Sequence, residues 1–191
     1  MIKNLKGINK RVKACGLDLV EAQEDHFQEY FNVWIHRANR HLIAEYTQDD
    51  LMRGLDDMKN VFLRLIKNNS VKLYMIKHRN GIIGYAIIQK IDFVNKNCEF
   101  GIILKKNYDK HGFGLYVFVM LCHKIFADIK LCELRNMYAV INEDNKIALK
   151  QFEKYKLVIG KIRNLYYVNK KLKSGIVVLI PKKIFGSICE G

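Results

Sequence analysis

The amino-terminal third of the chain shows one apolar pattern typical of a strand and two typical of helices. The run LDLVEA, which starts at residue 17, predicts a short strand. Apolar residues then recur every three or four positions, and this spacing predicts a helix from about Glu24 to His36. Thr47 supplies a capping signal for a second helix that ends at about Lys67.

The central part of the chain is rich in β-forming residues. Two such runs, VKLYMIKH and IIGYAIIQKID, are joined through Asn80 and Gly81, a dipeptide that favours the tight turn of a β-hairpin. A third strand is predicted for the run NCEFGIILKK. The hairpin is the best-defined local prediction in the sequence.

The stretch NYDKHGFGLYVF places Gly112 and Gly114 directly before a long apolar segment. Apolar residues at helical spacing predict a helix with one buried face there, formed by Leu115, Phe118, Val119, Cys122, Ile125, Phe126 and Ile129. LRNMYAVIN predicts a further strand, EDNKIALKQFEKY a helix, and VIGKIRNLYYV with SGIVVLIP a final pair of strands. These elements predict a mixed α/β fold in which a glycine bend connects a strand to a helix.

The composition is typical of one globular domain. The chain has 191 residues, of which 50% are hydrophobic, and its one proline and lack of linker-like runs predict a single domain over residues 1–191. Five cysteines without a CxxC pair favour reduced thiols and a cytoplasmic location. No apolar run approaches the roughly 20 residues that cross a bilayer, so we expect no membrane contact.

The net charge of +14 is unevenly distributed along the chain. Residues 18–57 contain ten acids and three Lys or Arg, whereas the segment from Lys154 to Cys189 contains nine Lys or Arg and no acid. Charge runs of this kind are common on solvated surfaces. A surface with regions of both signs can also bind a cation in one region and an anion in the other.

The glycine bend is a candidate anion site. The first backbone N–H groups of a helix have no partner within the helix, and together with the helix dipole they favour phosphate. Glycine allows close approach of the ligand to the backbone. The stretch has neither the Gly-Lys-Ser/Thr of a Walker loop nor three glycines of a dinucleotide site, and taken alone it also suits an ordinary turn.

Two motifs resemble those of the GCN5-related N-acetyltransferase (GNAT) family. The first is CEFGIILKKNYDKHGFG, in which DKHGFG matches the family's pyrophosphate loop, Gln/Arg-x-x-Gly-x-Gly/Ala. The second is NEDNKIALKQFEKYKL, which is similar to the family's Asn-x-x-Ala/Ser-x-x-x-Tyr-Glu-Lys-x-Gly-Phe helix. The order of elements also matches over residues 16–181. The resemblance implies one domain with a mostly antiparallel central sheet, flanked by helices and with splayed central strands.

The resemblance further implies acyl transfer from acetyl-CoA to an amine. The histidines have no metal-ligand spacing with the cysteines, so we expect no metal site. Backbone groups of the cofactor strand would pair with the pantetheine, and amides of the loop would hold the pyrophosphate. The cofactor-binding residues implied in this way are Ile102, Ile103, Leu104, Lys110, His111, Gly112, Phe113, Gly114, Asn145 and Phe152.

Two positions depart from the family pattern. Asp109 stands at the first position of the loop, where it brings a carboxylate near phosphates and is expected to weaken cofactor binding. Phe152 stands where many relatives have a tyrosine that protonates the leaving thiolate. Tyr155 lies on the same helical stripe, one turn further on, and is the candidate substitute. Solvent is the alternative proton donor, because many relatives lack that tyrosine.

Glu99 is the candidate general base, because an amine must lose a proton to attack a thioester. It is the single carboxylate in an otherwise apolar strand. Strand alternation places Glu99, Gly101 and Ile103 on one face of the sheet and their neighbours on the other. A structural role, in which the carboxylate bonds a neighbouring strand, is equally compatible with the sequence.

The acceptor is the part of the function that the sequence leaves open. Trp34, His36 and Arg40 lie in the segment that matches the family's variable acceptor loop and are the predicted substrate-binding residues. Candidate acceptors are a protein amine, a polyamine and an amino sugar. The alternative function is a nucleic-acid-directed protein, either a tRNA-acetylating relative or an RNA binder, for which the basic, aromatic run KIRNLYYVNKKLK is the support. A monomer or homodimer is expected.

Overall fold

The computed structural model describes residues 15–35, 55–79, 81–108, 112–168 and 171–184. These residues contain seven strands: β1 (Leu17–Glu21), β2 (Lys72–His78), β3 (Gly81–Asp92), β4 (Asn97–Leu104), β5 (Asn136–Asn142), β6 (Val158–Val168) and β7 (Lys171–Pro181). All seven belong to one sheet with the order β1-β2-β3-β4-β5-β7-β6. Only β4 and β5 run parallel to each other. The predicted mixed α/β fold with a mostly antiparallel sheet is therefore confirmed.

Four α-helices lie among the described residues: α1 (Phe27–Ile35), α2 (Leu55–Lys67), α3 (Phe113–Ala127) and α4 (Lys146–Lys154). The predicted helix from Glu24 begins with a short 3-10 turn, Glu24–His26, before α1. The capping signal at Thr47 lies outside the described residues, as do His36 and Arg40. None of the helices among the described residues is long and apolar enough to cross a membrane.

The hairpin of β2 and β3 forms as predicted. The two strands pair antiparallel from Lys72 with Ile88 to His78 with Gly81, with one irregularity after Ile76. Arg79 in the turn has a left-handed backbone, with φ of 54°. The tight turn therefore uses a backbone conformation of the kind that such hairpin connections require.

Two apolar layers cover the two faces of the sheet. On one face, α1 and α2 pack over β2 and β3, and Phe62 of α2 lies against Phe27 and Tyr30 of α1 with ring centroids 5.7 and 4.9 Å apart. On the other face, α3 packs over β3 and β4, and Phe100 contacts Phe118. The central parts of β2 and β3 are therefore buried on both sides.

The burial of α3 differs from the prediction of a single apolar stripe. Val117, Phe118 and Val119 are successive residues and all are buried, and Leu121 and Cys122 are fully buried. The segment after the helix, with Leu131 and Leu134, joins the same cluster and covers further sides of α3. Ile129, predicted on the buried face, lies beyond the end of the helix and is 88% exposed. That prediction was wrong because the helix ends at Ala127.

Candidate functional site

The candidate site lies where β4 and β5 separate. Only three residue pairs join these parallel strands: Asn97 with Asn136, Cys98 with Met137, and Glu99 with Tyr138. Beyond the Glu99–Tyr138 pair, the described remainders of the two strands have no pairing with each other. The sheet therefore contains a gap that opens towards the carboxyl ends of β4 and β5.

The backbone of β4 presents polar groups to this gap. On its other side, β4 pairs with β3: Ile103 is opposite Tyr85, and the Lys105 N–H donates to the Ile83 carbonyl at 2.7 Å. Successive residues of a strand direct their backbone groups to opposite sides. The backbone groups of Ile102 and Leu104 therefore face the gap, whereas those of Ile103 are used by β3. Of the three β4 residues predicted to bind the cofactor, Ile102 and Leu104 have backbone groups that are available to an extended ligand.

The amino-terminal end of α3 lies beside the end of β4. Gly112 is the N-cap residue, with a left-handed φ of 75° and no side-chain capping bond. Its carbonyl accepts from Leu115 and Tyr116 at 3.1 and 3.3 Å, which starts the helix. A Cβ on Gly114 would lie 4.0 Å from Leu104 Cδ1, so the first helical turn faces β4. This geometry fits the phosphates of CoA, because the first N–H groups and the helix dipole favour an anion.

Three aromatic rings pack together beside the start of α3. Phe113 packs against His78 and Tyr108, with centroids 5.1 and 5.9 Å away. The nearby Lys105 ammonium donates to the Ile82 carbonyl at 2.6 Å, so it is turned towards β3. Lys110 and His111, both predicted to bind the cofactor, lie outside the described residues, as does Asp109.

Asn145 caps α4. Its side-chain oxygen accepts from the Ala148 N–H at 3.2 Å, a typical N-cap bond. The preceding turn is held by Asn142, whose side chain is buried and accepts from the Asp144 N–H at 2.9 Å. The side-chain oxygen of Asn145 thus accepts a hydrogen bond within the protein. Its side-chain amide nitrogen is the group that could contact a cofactor.

Phe152 belongs to an aromatic cluster on the α3 face. Its ring lies 6.3 Å from Phe100 of β4 and 6.1 Å from Phe118 of α3, edge-on to the latter. Tyr155 is the C-cap residue of α4, because the helix ends at Lys154. The helical stripe that was predicted to carry Tyr155 therefore stops one residue before it. The Lys154 ammonium lies 5.8 Å from the centre of the Tyr155 ring.

We expect Tyr155→Phe to retain most of the transferase activity and Phe152→Tyr to fold and be at least as active as the wild type. Tyr155 lies past the end of α4, which favours solvent as the proton donor to the thiolate. Steady-state kcat of both variants, together with their melting temperatures, checks this. A loss above about tenfold, or 1.4 kcal/mol of barrier, in a well-folded Tyr155→Phe protein would contradict it.

Glu99 is half-buried at the apex of the gap, with 18% of its side chain exposed. Lys90 Nζ lies 2.8 Å from its Oε2, and Gln89 Nε2 donates to its Oε1 at 3.4 Å. A bulge in β3, at which Lys90 has a φ of 50°, allows both neighbours to reach the carboxylate. The predicted alternation is confirmed, because Ile103 packs in the α1–α2 layer and Cys98 and Phe100 in the α3 layer.

Tyr138 is a site residue that the sequence did not single out. Burial raises its pKa, and the charge and hydrogen bond of Glu99 raise the pKa further, whereas the charge of Lys90 opposes this. The alternation of LRNMYAVIN predicts the strand that contains Tyr138. It does not show which residue of β4 stands opposite Tyr138. The neighbouring carbonyl of Val140 accepts from the Tyr166 hydroxyl at 3.2 Å.

Gly175 lies close to Val140 and to the Tyr166 ring. A Cβ at residue 175 would lie 2.6 Å from Val140 Cγ1 and from Leu165 Cδ2, and 3.4 Å from the Tyr166 ring. Atoms at 2.6 Å cannot both stay in place, so any larger residue would displace the Leu165 side chain and the Val140 side chain of β5. Strand β5 is therefore held from the side opposite to the gap.

Trp34 lies in the core. Only 2% of it is exposed, and its ring stacks on Phe31 with centroids 6.1 Å apart. The ring thus packs between α1 and the sheet, which supplies a structural role for Trp34, and its contact with an acceptor stays a prediction.

Two lysines of the basic carboxyl-terminal strands are paired within the protein. Lys161 Nζ lies 2.8 Å from Glu143, and Lys173 Nζ lies 2.9 Å from Asp144. The Lys161 hydrogen bond, together with that of the Ser174 N–H, lowers the pKa of Glu143 to about 2. These lysines are therefore less available to an anionic partner than the sequence suggested.

Comparisons with known proteins agree with this geometry. The family described as Acetyltransferase (GNAT) domain matches residues 17–158 of the chain. Comparison with curated proteins gave no match. The fold is similar to that of the spermidine N-acetyltransferase from Vibrio cholerae in complex with CoA and spermine, with a TM-score of 0.78 and 15% identity over 89% of this chain and 98% of that chain.

A dodecameric structure of spermidine N-acetyltransferase from Vibrio cholerae in an intermediate state is also similar. Its TM-score is 0.72, with 16% identity over 88% of this chain and 95% of that chain. At such identities the likeness to solved structures establishes the fold. The match to an acetyltransferase domain family gives no support to the nucleic-acid alternative.

Proposed function

Because the chain belongs to the acetyltransferase (GNAT) domain family and is an enzyme of that class, we propose that it transfers the acetyl group of acetyl-CoA to a cationic primary amine. The amine, in its neutral form, would attack the thioester directly. The observation that carries the proposal is the gap between β4 and β5 with the end of α3 beside it. An extended pantetheine arm joined to a diphosphate fits this combination.

The residues for CoA follow from the geometry. Backbone groups of Ile102 and Leu104 face the gap and would pair with the amides of the pantetheine. The first turn of α3, at Gly112 to Gly114, would hold the pyrophosphate. When bound there, acetyl-CoA supplies the activated acetyl group. Glu99, at the apex of the gap, is the carboxylate that β4 contributes.

The charge around the acceptor face supports a cationic amine. Helices α1 and α2 cover the sheet face on which Glu99 lies. Exposed acids lie at the end of β1, in the turn before α1 and at the start of α2: Glu21, Glu24, Asp25, Asp56 and Asp57, of which Glu24 is paired with Lys67 at 3.2 Å. Together with the net negative charge of residues 18–57, they would attract a positively charged acceptor. A polyamine fits best among the candidate acceptors, because it carries several positive charges.

A saturating concentration of acetyl-CoA should raise the melting temperature by about 5–10 °C. At 100 times the Kd, a ligand that binds only the folded state adds about 2.7 kcal/mol of stability, and each kcal/mol is worth roughly 2–4 °C for a chain of this size. Differential scanning fluorimetry measures the shift. No shift at millimolar acetyl-CoA would contradict the proposal, and a shift with RNA alone would favour a binding protein.

Acetylation of spermidine should weaken when the acidic surface is neutralised. The double variant Asp56→Asn with Asp57→Asn is expected to raise KM for spermidine severalfold at low salt and to leave KM for acetyl-CoA unchanged. Glu153→Gln, on the exposed side of α4, is the matched control and should have no effect. Equal kinetics in all three proteins would exclude a role of this surface in acceptor binding.

A further inference from the structure

The last residue pair between β4 and β5 has polar side chains, whereas the pair before it is apolar. Glu99 and Tyr138 stand opposite each other at the point where the gap opens. Cys98 and Met137, one residue earlier, are fully buried on the α3 face. Alternation therefore places Glu99 and Tyr138 on the opposite face, towards α1 and α2. A carboxylate and a phenol lie side by side where the strands diverge.

Both groups are held in place by contacts within the sheet. The Glu99 carboxylate receives Lys90 at 2.8 Å and Gln89 at 3.4 Å from β3. Tyr138 stands opposite Glu99 in the register of β5, and burial together with the Glu99 carboxylate raises the pKa of Tyr138. A phenol is protonated at neutral pH at its ordinary pKa of about 10, and the upward direction of the pKa shift of Tyr138 preserves this. Tyr138 thus has a proton to give to Glu99 and an oxygen that can accept another.

We infer that Tyr138 is a catalytic residue, whose hydroxyl contacts the attacking amine at the mouth of the gap and connects it to Glu99. The inference rests on the proposed acetyl transfer to an amine. It assigns the contact with the nitrogen to Tyr138 because Glu99 already has partners at both oxygens, Lys90 and Gln89. Glu99 then acts as the proton acceptor behind the phenol.

Tyr138 and Glu99 would carry the excess proton away from the nitrogen. The neutral amine forms the new C–N bond while the C–S bond breaks, which leaves the nitrogen with one proton too many. The Tyr138 oxygen accepts that proton as its own proton passes to the Glu99 carboxylate. The proton on Glu99 then returns through Tyr138 to solvent or to the departing thiolate. The net change converts amine and thioester into amide and thiol, and both side chains regain their starting state.

The test compares Tyr138→Phe, Glu99→Gln and the double variant, with acetyl-CoA and spermidine as substrates. We expect Tyr138→Phe to lower kcat about tenfold or more and to leave KM for acetyl-CoA unchanged. The double variant should lose no more than Glu99→Gln alone, because both residues serve one proton path. Tyr74→Phe is the control, since burial also raises the pKa of Tyr74, on the α3 side of the sheet, and its kcat should match the wild type.

A second measurement does not depend on the acceptor. In tyrosine labelled with 13C at Cζ, the NMR titration of Tyr138 should show a lower pKa in Glu99→Gln than in the wild type. A Tyr138 titration that is unchanged by Glu99→Gln overturns the inference even if no amine is acetylated. If the wild type acetylates spermidine, either of two results overturns the inference. One is a wild-type kcat in Tyr138→Phe, and the other is a loss in the double variant that equals the product of the two single losses. A wild type that acetylates no amine contradicts the proposed function instead.

Discussion

Replacing Gly114 by glutamate should reduce the affinity for CoA about 100-fold or more, near 2.7 kcal/mol, without harm to the fold. A Cβ at this position meets only Leu104 Cδ1, at 4.0 Å. A carboxylate in the first turn of α3 favours the free helix by about 0.3–1 kcal/mol. It also places negative charge where the pyrophosphate is proposed to bind. Isothermal titration with CoA measures the loss.

The matched control is Gly160→Glu. It introduces the same charge at an exposed position of β6, where a Cβ has no atom within 4 Å. We expect this variant to bind CoA with wild-type affinity. An equal loss in both glutamate variants would assign the effect to net charge. Wild-type affinity in Gly114→Glu would move the CoA site away from this helix end.

Glu99→Gln should lower kcat about 100-fold at neutral pH, within the range of 10²–10⁴ for general acid–base catalysis. Glutamine has nearly the same shape and retains an oxygen that can accept from Tyr138 or Gln89. It cannot take up a proton, whether that proton comes from the amine directly or through Tyr138. Steady-state kinetics with acetyl-CoA and spermidine measure the loss, and CoA binding by titration should be unchanged.

Lys90→Gln separates the catalytic role of Glu99 from a structural one. The Lys90 side chain is 67% exposed, and an ion pair of that kind contributes about 0.2–1 kcal/mol to stability. Both variants remove the same ion pair, but only Glu99→Gln removes the carboxylate. A loss of kcat in Glu99→Gln alone supports the base. Equal losses in the two variants would show that the ion pair positions the strands.

The local patterns of the sequence predicted the strands and helices because each is encoded by its own residues. The hairpin at Asn80-Gly81 and the glycine bend before α3 depend on backbone preferences that are visible in the sequence. The burial around α3 was not predictable in the same way, because Leu131 and Leu134 cover it from a segment that begins after the helix ends. Whether an apolar residue such as Ile129 is buried depends on where the chain turns.

The site was predicted in part. The position of Glu99 on one face of β4 follows from alternation within a single strand, and the first turn of α3 follows from its glycines. Tyr138, Lys90 and Tyr166 depend on register between strands that are distant in the chain. The bulge at Lys90 and the contact of Tyr166 over Gly175 arise only when those strands are assembled. Periodicity within one element contains no information on such pairs.

The short junction between β4 and β5 also divides the sheet in its folding behaviour. Three residue pairs connect a four-stranded part, β1 to β4, with a three-stranded part formed by β5, β7 and β6. Cooperativity between the two parts must therefore come largely through α3 and α4, which meet where Phe118 contacts Phe152. A substrate that lies in the gap and bonds its edges would act as an additional strand. Occupancy of the gap would then couple the two parts into one cooperative unit, so that the acyl donor contributes to the integrity of the sheet as well as to the reaction.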